Sequence, residues 1–243
     1  MAEEKSELVN NLEGNSKEAS WDYTRMVKDI VPLEFTEEQQ PDGRWQRVEY
    51  FQGRRIIGRD TPIDKGVYMV AGTGEAIVVD SKKYPVLEEE YQKLLRKLLT
   101  QSKQTGHPVH TFALRQAYQT TAELLPYDLP GVEQLLRKMG VPEKSNTPQK
   151  VDLSVFVQNR VGVCRHQALL AGLFLEKLHD GGHLLGKPSV DRNWVPGQGG
   201  HAWVRYTNRE GQIFIIDPAM KYIGSLSDVK TGTQWFYKRP EDK

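Results

Sequence analysis

Three residues of this chain have the side chains needed for covalent acyl transfer: Cys164, His201 and Asp217. Cys164 lies in a turn before a strongly apolar run, His201 begins a strand-like run over 201–206, and Asp217 ends a second strand-like run before Pro218. A thiol nucleophile, an imidazole base and a carboxylate that orients the base form a catalytic triad. The pattern therefore predicts chemistry through a cysteine thiolate.

The two strand-like runs are separated by turn-forming residues 208–211, which predicts a β-hairpin. A register centred on Arg209 places His201 directly opposite Asp217, and it pairs Trp203 with Ile215 and Val204 with Phe214 in the same ladder. Opposite residues of an antiparallel pair have Cβ atoms roughly 5 Å apart, within reach of an imidazole–carboxylate hydrogen bond. A slip of one residue would separate the pair onto two faces.

The apolar run after Cys164 predicts a helix buried on most sides, which ends at Asp180-Gly181-Gly182. Cys164 falls at the first turn, where free backbone N–H groups and the helix dipole favour an anion. Such a position, with an imidazolium nearby, lowers a thiol pKa from about 8.5 to roughly 3.5–7.5. Gly162 is expected to permit a tight turn and to leave room for substrate above the sulfur.

Three short motifs resemble those of the transglutaminase-like cysteine superfamily: Gly162-Val163-Cys164, His201-Ala202-Trp203-Val204 and Ile216-Asp217-Pro218. The resemblance covers about residues 150–224. It implies a papain-like fold, with Cys164 as nucleophile, His201 as general base and acid, and Asp217 as the residue that orients the imidazole. Members of the superfamily include transglutaminases, peptide N-glycanases, bacterial proteases and toxin-type deamidases, so the reaction expected is attack on an amide in a protein or peptide.

Other readings of the same residues remain open. The Arg-x-Gly-x-Cys turn from Arg160 is shared with arylamine N-acetyltransferases, although His166 replaces the glutamate usual there. The sequence after Cys164 also resembles a segment in the amino-terminal domain of plant Raf-like kinases, where catalysis is not assured. A non-catalytic peptide-binding module on the same scaffold is therefore the alternative to an enzyme. A zinc site built from Cys164, His166, His201 and Asp217 is disfavoured, because structural zinc sites usually use several closely spaced cysteines.

Two further residues are predicted to line the reaction site. Acyl transfer needs donors aimed at the developing oxyanion. The backbone N–H of Cys164 is one, and Gln158 resembles the glutamine that papain-like enzymes place there; Asn159 and Trp194 are further candidates. The stretch 193–200, rich in glycine, is expected to be a mobile loop leading into His201, with Trp194 either bounding the substrate cleft or covering the core.

Composition limits the partners and the compartment. The formal net charge is +1, which implies no broad attraction to nucleic acid or anionic lipid. No apolar run approaches the roughly 20 residues of a membrane span, and the chain has one cysteine, in keeping with the cytoplasm or another reducing compartment; delivery to another cell stays open. A protein or peptide substrate is expected, with no cofactor, no metal and no calcium loop of the EF-hand type; the oligomeric state is not predicted.

The remaining elements define the expected fold. Residues 1–20 read as a disordered lead, residues 21–84 as a strand-rich lobe, and residues 85–243 as a helical region followed by the catalytic core. Three apolar stripes at helical spacing predict helices around 87–98, 114–125 and 130–139, and residues 143–150 are expected to be a linker. The fold class predicted is α+β: a catalytic helix on an antiparallel sheet, with an N-terminal extension of strands and helices.

Overall fold

The computed structural model of this chain describes Trp21 and residues 33–39, 43–70, 73–229 and 235–242. The architecture is mixed, with five α-helices and three sheets among these residues, so the α+β class is confirmed at that level. The predicted disordered lead over residues 1–20 lies outside the described residues.

The elements are numbered here in chain order. The strands are β1 Glu34–Gln39, β2 Trp45–Phe51, β3 Arg54–Arg55, β4 Val67–Met69, β5 Glu75–Val78, β6 Gln149–Asp152, β7 Lys187–Val195, β8 Gly199–Thr207, β9 Ile213–Asp217 and β10 Tyr222–Ser225. The helices are α1 Pro85–Thr105, α2 His110–Leu124, α3 Leu129–Lys138, α4 Leu153–Asn159 and α5 Cys164–Asp180, with a 3₁₀ turn at Leu226–Asp228.

Helix α5 is the centre of the main core. Its residues from His166 to Leu175 are all buried, because the helix has apolar neighbours on nearly every side. A Cβ on Gly172 would lie 2.7 Å from Ile63 and 3.0 Å from Val190, so only glycine lets the sheet and the 58–66 loop approach this closely. The main core takes side chains from before and after residue 85, including Ile77 and Leu87.

The sheet beside α5 is antiparallel, in the order β10-β9-β8-β7. The predicted β8–β9 hairpin is present, but its register is shifted by two residues: Val204 pairs with Ile216, not with Phe214. The reason is a five-residue loop over 208–212, centred on Glu210. The Asn208 backbone N–H donates to the Gln212 carbonyl over 3.0 Å, and the Asn208 side chain accepts from the Gln212 backbone N–H over 2.8 Å.

A two-residue shift preserves the alternation of faces. The next pair in the observed register would be Trp203 and Asp217, so Asp217 lies diagonally from His201 on the same face. The prediction that the two residues are direct partners was wrong, whereas their placement on one face was correct.

Strand β7 was not predicted. It pairs with β8 along nine residue pairs, from Lys187 with Thr207 to Val195 with Gly199. The expected mobile loop over 193–200 is therefore mostly strand, and only residues 196–198 form the turn. The glycines of this segment favoured a loop in the sequence. The strand that pairs with it, β7, gave no apolar signal, because the polar residues Asp191, Arg192 and Asn193 lie at its centre.

The expected linker over 143–150 also ends in structure, since Gln149 and Lys150 belong to β6. Strand β6 runs parallel to β5 and continues into the short helix α4, where the Asp152 side chain accepts from the Ser154 backbone N–H over 2.8 Å. Sheet β4-β5-β6 thus connects the N-terminal lobe to the segment that leads into Cys164.

Candidate active site

The imidazole of His201 and the carboxylate of Asp217 form a buried pair. Nε2 of His201 lies 2.6 Å from Oδ2 of Asp217, and the two side chains are 8% and 1% exposed. This contact occupies one ring nitrogen, which leaves Nδ1 to face the thiol. The carboxylate therefore fixes the orientation and the tautomer of the ring.

Cys164 reaches the imidazole because β9 is shorter than its neighbour. Strand β8 pairs with β7 from Gly199 onward, but with β9 only from Val204 onward. The backbone over 201–203 has no ladder partner in β9, and the Ala202 N–H is available to Cys164. There the sulfur interacts with the His201 ring and with the backbone N–H of Ala202.

The thiol and the imidazole titrate as a coupled pair. Burial alone would raise the pKa of Cys164, but the hydrogen bond and charge of His201, the charge of Arg165 and the Ala202 N–H outweigh it, so the thiol pKa is lowered. Burial alone would lower the pKa of His201, yet hydrogen bonds and charge from Asp217 and Cys164 raise it to about 10. Both directions favour a thiolate–imidazolium ion pair near neutral pH.

The orienting carboxylate has two further donors. The hydroxyl of Tyr237 donates to Oδ2 of Asp217 over 2.8 Å, and the Met220 backbone N–H donates to Oδ1 over 3.1 Å. Both carboxylate oxygens of Asp217 therefore accept hydrogen bonds. Tyr237 is itself buried, so it acts as a positioning residue for Asp217 and does not face the cleft.

Residues 235–242, called the closing segment below, cover the outer face of the sheet. The Trp235 ring lies 4.9 Å from the His201 ring, centroid to centroid. Its indole N–H donates to the side chain of Asn193, whose amide in turn donates to the Phe236 carbonyl over 2.8 Å. Because Asn193 pairs with His201 in the ladder, this side chain links the closing segment to the base.

Two buried arginine clusters anchor the closing segment. Arg239 donates to both carboxylate oxygens of Asp191, at 2.7 and 2.6 Å, and it also pairs with Asp60 at 2.8 Å. Arg205 of β8 holds Asp242 through two hydrogen bonds of 2.7 and 2.6 Å. These bidentate pairs fix the segment at its far end, so Trp235 and Tyr237 have defined positions against the triad.

A second buried cluster holds the start of α5. Glu75 of β5 is 1% exposed, and its Oε1 accepts from Nε of Arg165 over 2.6 Å. Nε2 of His166 lies 3.7 Å from the other oxygen, while Nδ1 of His166 accepts from the Val163 backbone N–H over 3.1 Å. Burial would raise the pKa of Glu75, but the neighbouring His166 ring and the charge of Arg165 lower it to about 2.

The first turn of α5 offers donors for an oxyanion. Within the part of the chain that the structure describes, no acceptor takes the backbone N–H of Cys164 or of Arg165, whereas those of His166 and Gln167 donate to Val163. Gly162 does not have a positive φ; its role is close packing, since a Cβ there would lie 3.2 Å from Leu125. The expectation that it leaves room for substrate above the sulfur stays a prediction.

The loop between α2 and α3 lies beside the start of α5. The Asp128 N–H donates to the Gly162 carbonyl over 2.8 Å, and the Gly162 N–H donates to the Pro126 carbonyl over 3.1 Å. Tyr127 is 57% exposed between these bonds, and burial together with the nearby charge of Cys164 raises the pKa of its hydroxyl. Tyr127 therefore stands at the mouth of the site.

The two predicted cleft residues have different surroundings. Gln158 is exposed near the end of α4, and its role in an oxyanion hole stays a prediction. Trp194 is half-buried in β7 and lies on the sheet face of Ala202, opposite to that of His201. His166 does not join the triad, because its ring packs on Phe156 with centroids 4.0 Å apart.

Two general properties of the described residues bear on the alternatives. They contain no group of three or more His, Cys, Asp or Glu side chains arranged to hold a metal ion. They also contain no helix long and apolar enough to cross a bilayer.

No protein family, curated protein or solved structure matches this chain.

Sequence reasoning missed Tyr237, Trp235 and Glu75. Glu75 begins β5, where it pairs with Gln149 of β6, and its burial depends on contacts that no local pattern shows. Trp235 and Tyr237 gave a usable signal: three aromatic residues over 235–237 are too many for an exposed tail and indicate a segment that packs.

Proposed function

We propose that this protein is a cysteine hydrolase or acyltransferase that attacks an amide bond of a protein or peptide. The observation that carries the proposal is the continuous contact from the Cys164 thiol through the His201 ring to the Asp217 carboxylate. A structural cysteine has no need of an imidazole held by a buried carboxylate, whereas a nucleophile does.

In the proposed reaction the Cys164 thiolate attacks the carbonyl carbon, and the carbonyl π electrons move onto oxygen. The free N–H groups at the start of α5 then stabilise the oxyanion. Collapse of the tetrahedral intermediate breaks the C–N bond, and Nδ1 of His201 gives its proton to the leaving amine. Water or an acceptor amine resolves the thioester, with His201 taking the proton back.

Hydrolysis is favoured over transfer within this proposal, because nothing in the sequence marks a dedicated site for an acceptor amine. An exposed Tyr127 beside the thiol suits an extended polypeptide, which would lie across the mouth of the site. Peptide-bond cleavage, isopeptide cleavage and glutamine deamidation share the same first half-reaction.

The test is the intact mass of the protein after incubation with an activated acyl ester. The natural chain should gain one acyl group, Cys164→Ala should gain none, and His201→Ala should acylate much more slowly. A folded protein that never acylates, although its thiol is accessible to alkylation, would refute catalysis and favour a peptide-binding module. A labelled primary amine added with a protein extract separates the reactions: its incorporation into proteins would establish transfer in place of hydrolysis.

A further inference from the structure

A shallow depression beside β3, β5 and β6 concentrates positive charge. It is about 750 Å³ in volume and is lined by Gln52, Gly53, Arg54, Lys65, Asp80, Lys82, Lys83 and Lys150. Five cations and one carboxylate give this depression, called the lysine depression below, a formal charge of +4. Because the whole chain carries +1, all other residues together carry −3, so the positive charge is local.

The single carboxylate does not neutralise the lysines. Asp80 is committed to Arg54, at 2.8 Å, and to the Lys83 backbone N–H, at 3.0 Å. The four lysine ammonium groups form no salt bridge and no side-chain hydrogen bond with any described residue; only Lys83 has a partner, the Tyr84 ring 5.3 Å away. Four like charges around one concavity repel each other, and an anionic ligand would relieve that repulsion.

The backbone also holds Lys65 in a strained conformation. Lys65 has φ +66°, in the left-handed region where glycine is preferred, and Gly66 follows it directly. Its position is fixed by Arg54, whose guanidinium donates to the Lys65 carbonyl over 3.1 Å. Strained non-glycine residues of this kind tend to occur at functional positions, and here the side chain is directed to the lysine depression.

The residues that line the lysine depression favour some classes of anion over others. No exposed large apolar side chain lies among the lining residues, so the lysine depression lacks the groups that would insert into a bilayer. It has no aromatic lining residue on which a base could stack, as single-stranded nucleic acids require. Its +4 charge, spread over a shallow and open surface, suits a compact, multiply charged molecule.

We infer that the lysine depression binds a small soluble polyphosphate, a molecule with at least three phosphate groups. The lysines would surround the phosphates from three segments of the chain: the loop before β4, the loop after β5, and β6. The site is separate from the triad and does not depend on the proposed catalytic function.

Calorimetric titration of the full chain with inorganic tripolyphosphate at physiological salt tests this inference. The natural protein should bind one equivalent, and Lys82→Ala/Lys150→Ala should bind about 100-fold more weakly, because two charge-assisted hydrogen bonds are lost. The matched control is Lys97→Ala/Lys103→Ala, which removes two exposed lysines of α1 and should bind as the natural protein does. Cys164→Ala should also bind normally, which separates this inference from the catalytic proposal.

Three outcomes would overturn the inference. Equal weakening by both double variants would mean attraction by overall charge. Tighter binding to vesicles that contain a phosphoinositide, lost in Lys82→Ala/Lys150→Ala, would assign the lysine depression to a membrane headgroup. Tighter binding to a single-stranded oligonucleotide, with the same dependence on the two lysines, would assign it to nucleic acid.

Discussion

Tyr237 donates its hydroxyl hydrogen to Oδ2 of Asp217 over 2.8 Å, although the two residues are 20 positions apart. The same oxygen lies 2.6 Å from Nε2 of His201. One carboxylate oxygen thus serves the base and a buried tyrosine together, and the position of the imidazole depends on a residue outside the three motifs.

The first prediction concerns Tyr237→Phe. The change removes one donor from Oδ2 and concentrates the carboxylate charge on His201, so the alkaline limb of the kcat/KM profile should move to higher pH. Turnover should fall about 10-fold, because the Asp217 carboxylate loses one of the hydrogen bonds that hold it in position, while KM stays constant. Unfolding should cost about 1 kcal/mol less, as expected for one hydrogen bond.

Tyr222→Phe is the matched control for that change. The Tyr222 ring stacks on the Tyr237 ring with centroids 5.8 Å apart, but its hydroxyl donates to the Ser225 carbonyl and not to the triad. Equal losses of turnover in the two variants, with an unmoved pH profile, would show that Tyr237 has only a structural role.

The second prediction is that Asp217→Asn reduces turnover by as much as about 10⁴-fold, through the wrong imidazole tautomer. The protein should stay folded but lose about 1 kcal/mol of stability. The reason is that an amide NH₂ group in the position of Oδ2 donates to Nε2 of His201, which imposes the wrong tautomer, and it no longer accepts from the Tyr237 hydroxyl. Turnover and the urea midpoint measured on one preparation test both parts; undiminished turnover removes Asp217 from the mechanism.

The third prediction is the pH dependence of thiol alkylation. The pKa of Cys164 is lowered and that of His201 is raised to about 10, so the ion pair forms as pH rises through the thiol pKa and is lost above about pH 10. Iodoacetamide should therefore modify Cys164 readily below pH 7. His201→Ala should shift the alkylation midpoint upward, and a midpoint near 8.5 in both proteins would indicate an inert thiol.

The fourth prediction is that Glu75→Gln destabilises the protein by about 3 kcal/mol, because Arg165 at the start of α5 loses its buried counter-charge. Glu88→Gln is the control. Glu88 pairs with Lys177 at 2.8 Å, but the Glu88 side chain is 40% exposed, so this substitution should lower the free energy of unfolding by under about 1 kcal/mol. Urea unfolding midpoints compare the two; similar small shifts would mean that the Glu75 cluster contributes little.

The sequence predicts the local elements of the site better than their tertiary supports. Helix α5 and strands β8 and β9 are predictable because their apolar patterns are strong and their ends carry turn residues. The hairpin register is two residues off, since the Asn208 side chain closes a longer loop than the turn residues alone indicate.

Contacts between distant segments are not encoded in any local pattern. Glu75 reaches Arg165 across 90 positions, and Arg239 reaches Asp60 across 179. Strand β7 was missed for a related reason: Asp191 at its centre is paired with Arg239 of the closing segment, and Arg192 donates to the Met69 carbonyl. Each of these elements requires a partner that is visible only in three dimensions.

The closing segment has a consequence for the newly made chain. Residues 235–242 leave the ribosome after every other described element, and they bring Trp235 and Tyr237 to the base and its carboxylate. Until then Cys164, His201 and Asp217 are already translated, but the imidazole lacks its outer wall. Among the described residues, those that hold the imidazole and its carboxylate in place are therefore the last to be made.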